Sequence, residues 1–302
     1  MKIAVLLTCF NRKLLTISCL EHLLKARDSY NATHEEMISL SFFVTDDKCT
    51  DGTPNAIKDV LQNEPLTIVP ADGNAYWAGG MRMAWRKAIE SGSFDFYLLL
   101  NDDTDVWKNL FDELLEVHRY SLENFACCGI YSGNTTQKDD KSKITFGGKK
   151  EYGRLLKRNV RLSPNGVPQE CDVVNANILL VPQEVVNLVG IFPDCYIHSA
   201  ADNDYAKRVY NHGFKVFITA NFCGSCDADN YDVYSQCKKI KLMSIKERRE
   251  YFSNPVRSLH DSLEYYRNWK KMYIPIAIVR HFLQIYFPMF YFRIFNRNRM
   301  SK

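Results

Sequence analysis

The 302-residue chain lacks the marks of several common function classes. Its first two thirds carry no dense Lys/Arg stripe, and a formal net charge of +4 is too mild to imply nucleic acid as a partner. The turn after the first apolar run, Thr8-Cys9-Phe10-Asn11-Arg12, contains no glycine. That absence argues against the G-x-G-x-x-G of a dinucleotide-dependent dehydrogenase and against the glycine- and basic-rich phosphate loop of a nucleotidyltransferase. Cys223-Gly-Ser-Cys226 has ligand spacing, but no second such pair completes a zinc tetrahedron, so it reads as structural. The opening MKIAVLLTCFNRK is a short strand and polar turn with no apolar h-region before a cleavage site. Together with the scattered spacing of ten cysteines, it predicts reduced thiols in the cytoplasm. There is no internal repeat and no low-complexity tract.

What is there is ordinary globular material, 46% hydrophobic and 25% charged, enough for one large domain with an appendage. Strand-like runs at 2–8, 38–44, 66–69 and 97–100 alternate with helical patterns at 14–26, 55–61 and 81–91. That alternation predicts an α/β fold with a mostly parallel, doubly wound sheet. The segment 133–168, rich in Gly, Lys, Asn and Asp, reads as loops or a small hairpin layer. Apolar order returns at 172–182, followed by helices over 183–189 and from 198 to Gly213, a glycine suited to a helix C-cap, and a closing strand at 215–218.

The most informative stretch is YLLLNDDTDV at 97–106. An apolar run of that kind is a strand buried on both faces, and Asp102, Asp103 and Asp105 follow at its C-terminal end, where open α/β sheets place their ligands. Closely packed carboxylates repel unless a cation joins them, and their hard oxygens suit Mg²⁺ or Mn²⁺. The competing reading is a solvated loop with an Asp capping the helix near Trp107. Further acidic or glycine-rich clusters stand at other predicted strand ends: Asp46/Asp47, 73–80 and 202–204. In a parallel sheet those ends converge on one crevice, which suggests a site for a nucleotide-diphosphate donor.

Five segments, in order over about 3–218, resemble the inverting family 2 glycosyltransferases of GT-A fold. VLLTCFNR resembles the family's opening strand and turn; TDDKCTDGT is similar to its V-D-D-G-S-T-D-G-T; and GNAYWAGGMRMA is similar to its N-x-G-x-A-G-G segment. LLLNDDTDV looks like the Asp-x-Asp variant of the rhamnosyltransferase-like branch, and VGIFPDCYIHSAADNDYAKRVYNHGFKV resembles the segment carrying the family's base.

The resemblance implies roles. Asp46 or Asp47 would hydrogen-bond a uracil or thymine base, with Thr8 and Asn11 lining the same pocket. Trp77, Gly79 and Gly80 would let backbone approach the donor, and Arg82 would lie near the sugar or diphosphate. Asp103, assisted by Asp102 or Asp105, would hold the cation. Asp202 would be the general base, although spacing alone does not separate it from Asp204, since either could simply cap a helix. Two departures stand out: Ala201 replaces the glutamate that usually precedes the base, and 219–229 lacks the late histidine of many relatives.

The implied activity is metal-dependent transfer of a sugar from a UDP- or dTDP-sugar to a saccharide or lipid-linked saccharide in surface polysaccharide assembly. The alternative is a catalytically silent homologue that binds a nucleotide sugar or scaffolds a membrane assembly. The expected domains are a catalytic unit at 1–225, with a nucleotide-binding half to about 106, and a helical, basic and aromatic extension at 226–302. Within the extension, 273–295 is long enough to span a bilayer but contains Arg280, His281, Gln284 and Arg293. It therefore reads as an interfacial element on the inner face of the cell membrane, the competing reading being a helix packed on the domain or in a homo-oligomer.

Overall fold

The computed structural model describes residues 1–153, 158–227 and 233–295. Strands and helices alternate through β1 (Lys2–Cys9), α1 (Lys13–Asn31), β2 (Ser39–Asp46), α2 (Thr53–Val60), β3 (Leu66–Pro70), α3 (Tyr76–Ser91) and β4 (Phe96–Leu100). Next come β5 (Asp105–Val106), α4 (Leu110–Phe125), β6 (Gly129–Thr136), β7 (Gly148–Tyr152), β8 (Arg158–Arg161), β9 (Gln169–Glu170), β10 (Val173–Val174) and β11 (Ile178–Pro182). They are followed by α5 (Gln183–Val189), α6 (Ala201–Asn211) and β12 (Lys215–Ser225). The chain then turns helical, with α7 (Val233–Leu242), α8 (Ile245–Ser253), α9 (His260–Trp269), α10 (Tyr273–Tyr286) and α11 (Pro288–Phe295).

Among the described residues, nine strands form the central sheet, in the order β3-β2-β1-β4-β11-β6-β12-β5 with β9 beside β12. β1 is parallel to β2 and β4, β2 to β3, and β6 to β12, whereas β11 runs antiparallel to both neighbours. Side chains alternate between faces with period two. Ile3, Val5 and Leu7 of β1 and Leu98 of β4 join α1, α2 and α4 in one core, while Ala4, Leu6 and Leu99 join α3, α5 and α6 in the other. Helices cover both faces, so these strands read as nearly continuous apolar runs. As expected, Gly213 takes a left-handed φ of 88° just after α6.

Three segments differ from the sequence reading. β6, whose second half falls in the segment expected to form loops or a hairpin layer, is wholly buried in the central sheet. Its sequence, GIYSGNTT, looks like a turn because close packing demands glycine: a Cβ on Gly129 would stand 2.2 Å from the Lys215 carbonyl oxygen. Three of its polar side chains bond inside, Ser132 donating to the Asn175 carbonyl, Asn134 to that of Thr219, and Thr135 pairing with the Thr145 hydroxyl. β12 continues seven residues past Ile218, through bulges, to Ser225, carrying Cys223 and Cys226 into the interior as free thiols. α3 begins at Tyr76, so the glycine pair lies within the helix and not in a loop before it.

The segment after residue 225 is not uniformly an appendage. α9 packs on α6, and Tyr265 is buried in the main core with Tyr266 and Trp269 against it. A separate small core of Cys237, Ile240, Phe252, Ile285, Tyr291 and Phe292 joins α7, α8, α10 and α11.

Candidate active site

Where the parallel strands end, the loops enclose a cavity of about 780 Å³. The first 103 residues contribute Thr8, Arg12, Asp47, Trp77, Asp102 and Asp103, and the later chain contributes Asn175, Asn177, His198, Asp202, Asn203 and Arg257. A groove of similar size, about 790 Å³, lies near the strand starts Lys2 and Ser39. Open α/β sheets bind ligands at the carboxyl ends, which selects the first cavity.

Asp47 is buried at the end of β2, and its carboxylate organises the neighbouring loop. Oδ1 accepts the amides of Gly73 and Ala75 at 2.9 and 3.1 Å, and Oδ2 accepts that of Tyr76 at 3.0 Å. Trp77 donates its indole N–H to the Asn101 side-chain oxygen at 2.7 Å. These bonds tie the start of α3 to the ends of β2 and β4.

Of the expected donor-binding residues, Asn11, Asp46, Gly79, Gly80 and Arg82 stand outside the lining. Asn11 accepts the Thr50 amide at 2.7 Å, and Asp46 accepts the Cys49 amide at 2.8 Å. Gly80 serves packing, since a Cβ there would stand 2.1 Å from Thr8 Oγ1. Arg82 is directed to the loop before α6, where it donates to the carbonyls of Pro193 and Tyr196 at 2.9 and 2.7 Å and pairs with Asp194. Its guanidinium thus orders backbone in place of the expected sugar or diphosphate contact.

The acidic run divides three ways. Asp103 faces the cavity, with Oδ2 paired to Arg12 Nη1 at 2.7 Å and Oδ1 accepting the Cys226 thiol at 3.4 Å. Asp102, 5% exposed, accepts the Thr16 hydroxyl at 3.3 Å, and burial pushes its pKa up to about 7 against the opposing pull of Arg12. Asp105 leaves the cluster, because β5 pairs with the end of β12 and sets its carboxylate against Ser18 Oγ at 2.9 Å and Lys138 Nζ at 2.6 Å. A hard cation that takes one protein carboxylate and fills its shell with phosphate oxygens and water therefore fits Asp103 and does not fit Asp105.

Asp202 opens α6 and is 8% exposed. Its Oδ2 accepts the Ala176 amide at 3.3 Å, and its Oδ1 accepts the Asn203 amide at 2.8 Å. Burial raises its pKa, with Lys149 pulling the other way. Asp204, two residues on and nearly opposite on the helix, is turned from the cavity and accepts the Trp269 indole N–H at 2.6 Å.

Sequence reasoning passed over Arg12, Asn175, Asn177 and Asn254–Arg257. Arg12 lies within the FNR turn, where nothing local shows that it pairs with Asp103. Asn175 and Asn177 interrupt an apolar run at its crevice end, a signal that was readable. Residues 254–257 lie between two helices and carry no motif.

The sequence matches no family model and no curated protein, but solved structures resemble it. Residues 1–349 of S. aureus TarS in complex with UDP-GlcNAc align at a TM-score of 0.52 and 13% identity, over 75% of this chain and 58% of that one. The mannosyltransferase PcManGT from Pyrobaculum calidifontis, in complex with GDP-Man and Mn²⁺, aligns at 0.51 and 14%, over 92% and 73%. The fold is GT-A. GalNAc-T7 with UDP, GalNAc and Mn²⁺ aligns at 0.54 and 12%, over 76% of this chain and 43% of that one. This chain thus spans less than two thirds of the TarS and GalNAc-T7 chains, and the shared property is the GT-A sheet arrangement.

Proposed function

We propose that this chain is an inverting glycosyltransferase that uses Mg²⁺ or Mn²⁺ and moves a sugar from a UDP- or dTDP-sugar to a saccharide or lipid-linked saccharide. The observation that carries the reading is the meeting of Asp103 and Asp202 in one cavity at the strand ends, from positions 99 residues apart. Asp202 takes the proton of the acceptor hydroxyl as that oxygen attacks the anomeric carbon. The bond from that carbon to the donor phosphate breaks on the opposite face, and its electron pair leaves with the nucleotide diphosphate. Direct displacement of this kind inverts the stereochemistry. Asp103 would hold the cation, which when bound neutralises the leaving diphosphate. Arg12 holds Asp103 in place and adds positive charge on the same side. Asp47 shapes the backbone against which the nucleotide lies.

The rhamnosyltransferase-like motifs support a role in surface polysaccharide biosynthesis, at the inner face of the cell membrane. Among the described residues no helix is long and apolar enough to cross a membrane. α10 and α11 are short and break at Phe287–Pro288, and they leave Ile278, Val279, Phe282, Phe287, Met289 and Phe290 about half exposed beside Arg280 and Arg293. An apolar surface with basic neighbours suits the interface of an anionic membrane.

The test is a panel of UDP- and dTDP-sugars with Mn²⁺ or Mg²⁺, reading free nucleotide diphosphate, with Asp202→Asn alongside. The expected outcome is cation-dependent release from one donor that is lost in the variant. Nucleotide binding with no turnover, even with lipid-linked acceptors, would instead establish a silent binding homologue.

A further inference from the structure

The ends of β1 and β2 carry a second cluster that the transfer chemistry does not use. Cys9 closes β1 and Asp46 closes β2, and the parallel register sets them side by side. Cys49 follows in the next turn, folded back by its amide bond to Asp46 Oδ1. One ligand atom from each of the three lies within 4.8 Å of the others.

The sulfur spacing is informative. Cys9 Sγ and Cys49 Sγ stand 3.8 Å apart, far beyond a disulfide bond of about 2.05 Å. A tetrahedral centre about 2.3 Å from each thiolate, the zinc–sulfur distance, has an edge of roughly 3.8 Å. The carboxylate is the third ligand such a centre accepts. Cys49 Sγ also receives the Asn11 amide at 3.3 Å, delivered by a left-handed φ of 52° at Asn11. Cys9 is buried, while Asp46 and Cys49 are partly exposed, so the cluster is sheltered yet open to loading.

We propose that Cys9, Asp46 and Cys49 form a binding site for a soft divalent cation of the zinc class, separate from the hard-cation position at Asp103. Two sulfurs select a borderline-soft metal, as the oxygen at Asp103 selects a hard one. Binding releases the two thiol protons to solvent and places three protein ligands on the metal, leaving the fourth position to water. The bound cation ties the 46–49 turn to β1 next to Asp47, bracing the same side of the cavity, whose lining includes Cys9.

The experiment titrates the full chain, stripped with a chelator and kept reduced by a phosphine, with Co²⁺. One equivalent produces thiolate-to-cobalt charge-transfer absorption and the visible bands of a tetrahedral site, and equimolar Zn²⁺ displaces both. Cys49→Ser abolishes these bands and Asp46→Asn weakens binding at least about tenfold, while Cys195→Ser, at an exposed thiol elsewhere, keeps them. Circular dichroism of each metal-free variant separates lost ligands from lost folding. Bands that survive in both Cys49→Ser and Asp46→Asn overturn the proposal. So does recovery of a Cys9–Cys49 disulfide from untreated protein that takes up no cobalt once reduced. The readout is spectroscopic, so it stands even if the chain transfers no sugar.

Discussion

Two loops that open helices at the cavity are held by the same device from opposite directions. The 73–76 loop before α3 is gripped by Asp47, whose carboxylate accepts three backbone amides. The 197–199 loop before α6 is gripped by Asp261, which is 1% exposed and accepts the amides of Ile197, His198 and Ser199 at 2.7–3.0 Å. Asp47 reaches across 26–29 residues within one alternating β/α unit, whereas Asp261 reaches back more than 60 residues from α9. Burial works against ionised Asp261, but bonds from His260 and the three amides prevail and lower its pKa. Position in the site therefore does not follow position in the chain, and the region after residue 225 supplies a support of the Asp202 loop as directly as the sheet supplies Asp103.

The sharpest test of this reading separates the two acids of α6. Asp202→Asn should lower turnover about 10²- to 10⁴-fold, the contribution expected of general base catalysis, while nucleotide binding persists. Because burial raises the Asp202 pKa and the base works ionised, kcat/KM should fall as pH drops through a value above the usual carboxylate range. Asp204→Asn should lower Tm and keep that pH limb, since its oxygen meets Trp269 and lies outside the cavity lining. Equal loss of turnover in both variants would erase the distinction between the two positions.

The paired clamps give the next largest effect. Asp261→Asn aims an N–H₂ group at backbone donors, and an unmade buried bond costs about 1–3 kcal/mol. The displaced loop should reduce kcat about tenfold with little change in donor KM, because base geometry is what suffers. Asp47→Asn should do the reverse, raising donor KM with a smaller effect on kcat. Steady-state kinetics with a saturating acceptor reads both, and identical profiles would mean that the two loops do not serve different partners.

The sequence marks Asp47 as one of two candidates for a base contact, not as a clamp, and gives no sign of Asp261, for physical reasons. β1 to β4 alternate with helices at spacings that set each period, and a parallel sheet brings their ends together, so the acidic clusters at 46–47 and 101–105 read as facing one crevice, while the choice of Asp202 over Asp204 rests on the family resemblance alone. Spacing along a strand end does not reveal that β12 folds back to pair with β5 and draws Asp105 away from the cavity. Nor does it reveal the partners of Arg82, the Pro193 and Tyr196 carbonyls, which tertiary contact sets 111 and 114 residues away. Asp261 resembles any acid in a helix's first turn, where it would be favourable for the helix dipole alone. Nothing local tells that its carboxylate faces another loop.

Asp102 offers a smaller, pH-dependent test of the first region. Its pKa is about 7 in the folded state against an ordinary 3.8, so the folded protein holds a proton that the unfolded chain has released. That stabilisation is complete below pH 3.8 and is lost as pH rises through 7, at up to about 1.4 kcal/mol per pH unit between them. Asp102→Asn keeps the neutral shape and should flatten this part of the stability curve in urea titrations. An unchanged slope would mean that Arg12 keeps Asp102 ionised throughout.

The smallest effect on catalysis is expected farthest from the cavity. Ile285, Tyr291 and Phe292 face the small core with α7 and α8, so removing α10 and α11 would uncover that core and confuse membrane release with unfolding. Phe282 and Phe290, 49% and 55% exposed, lie on the outer surface and can be changed without opening it. Phe282→Glu with Phe290→Glu should lower partition onto anionic liposomes by at least about tenfold, since each buried Phe contributes roughly 1.5–3 kcal/mol. Donor hydrolysis in solution should not change, because neither side chain lines the cavity. If partition is unaffected while the protein's mass in solution falls by half, the apolar face meets a second copy of the chain and not lipid.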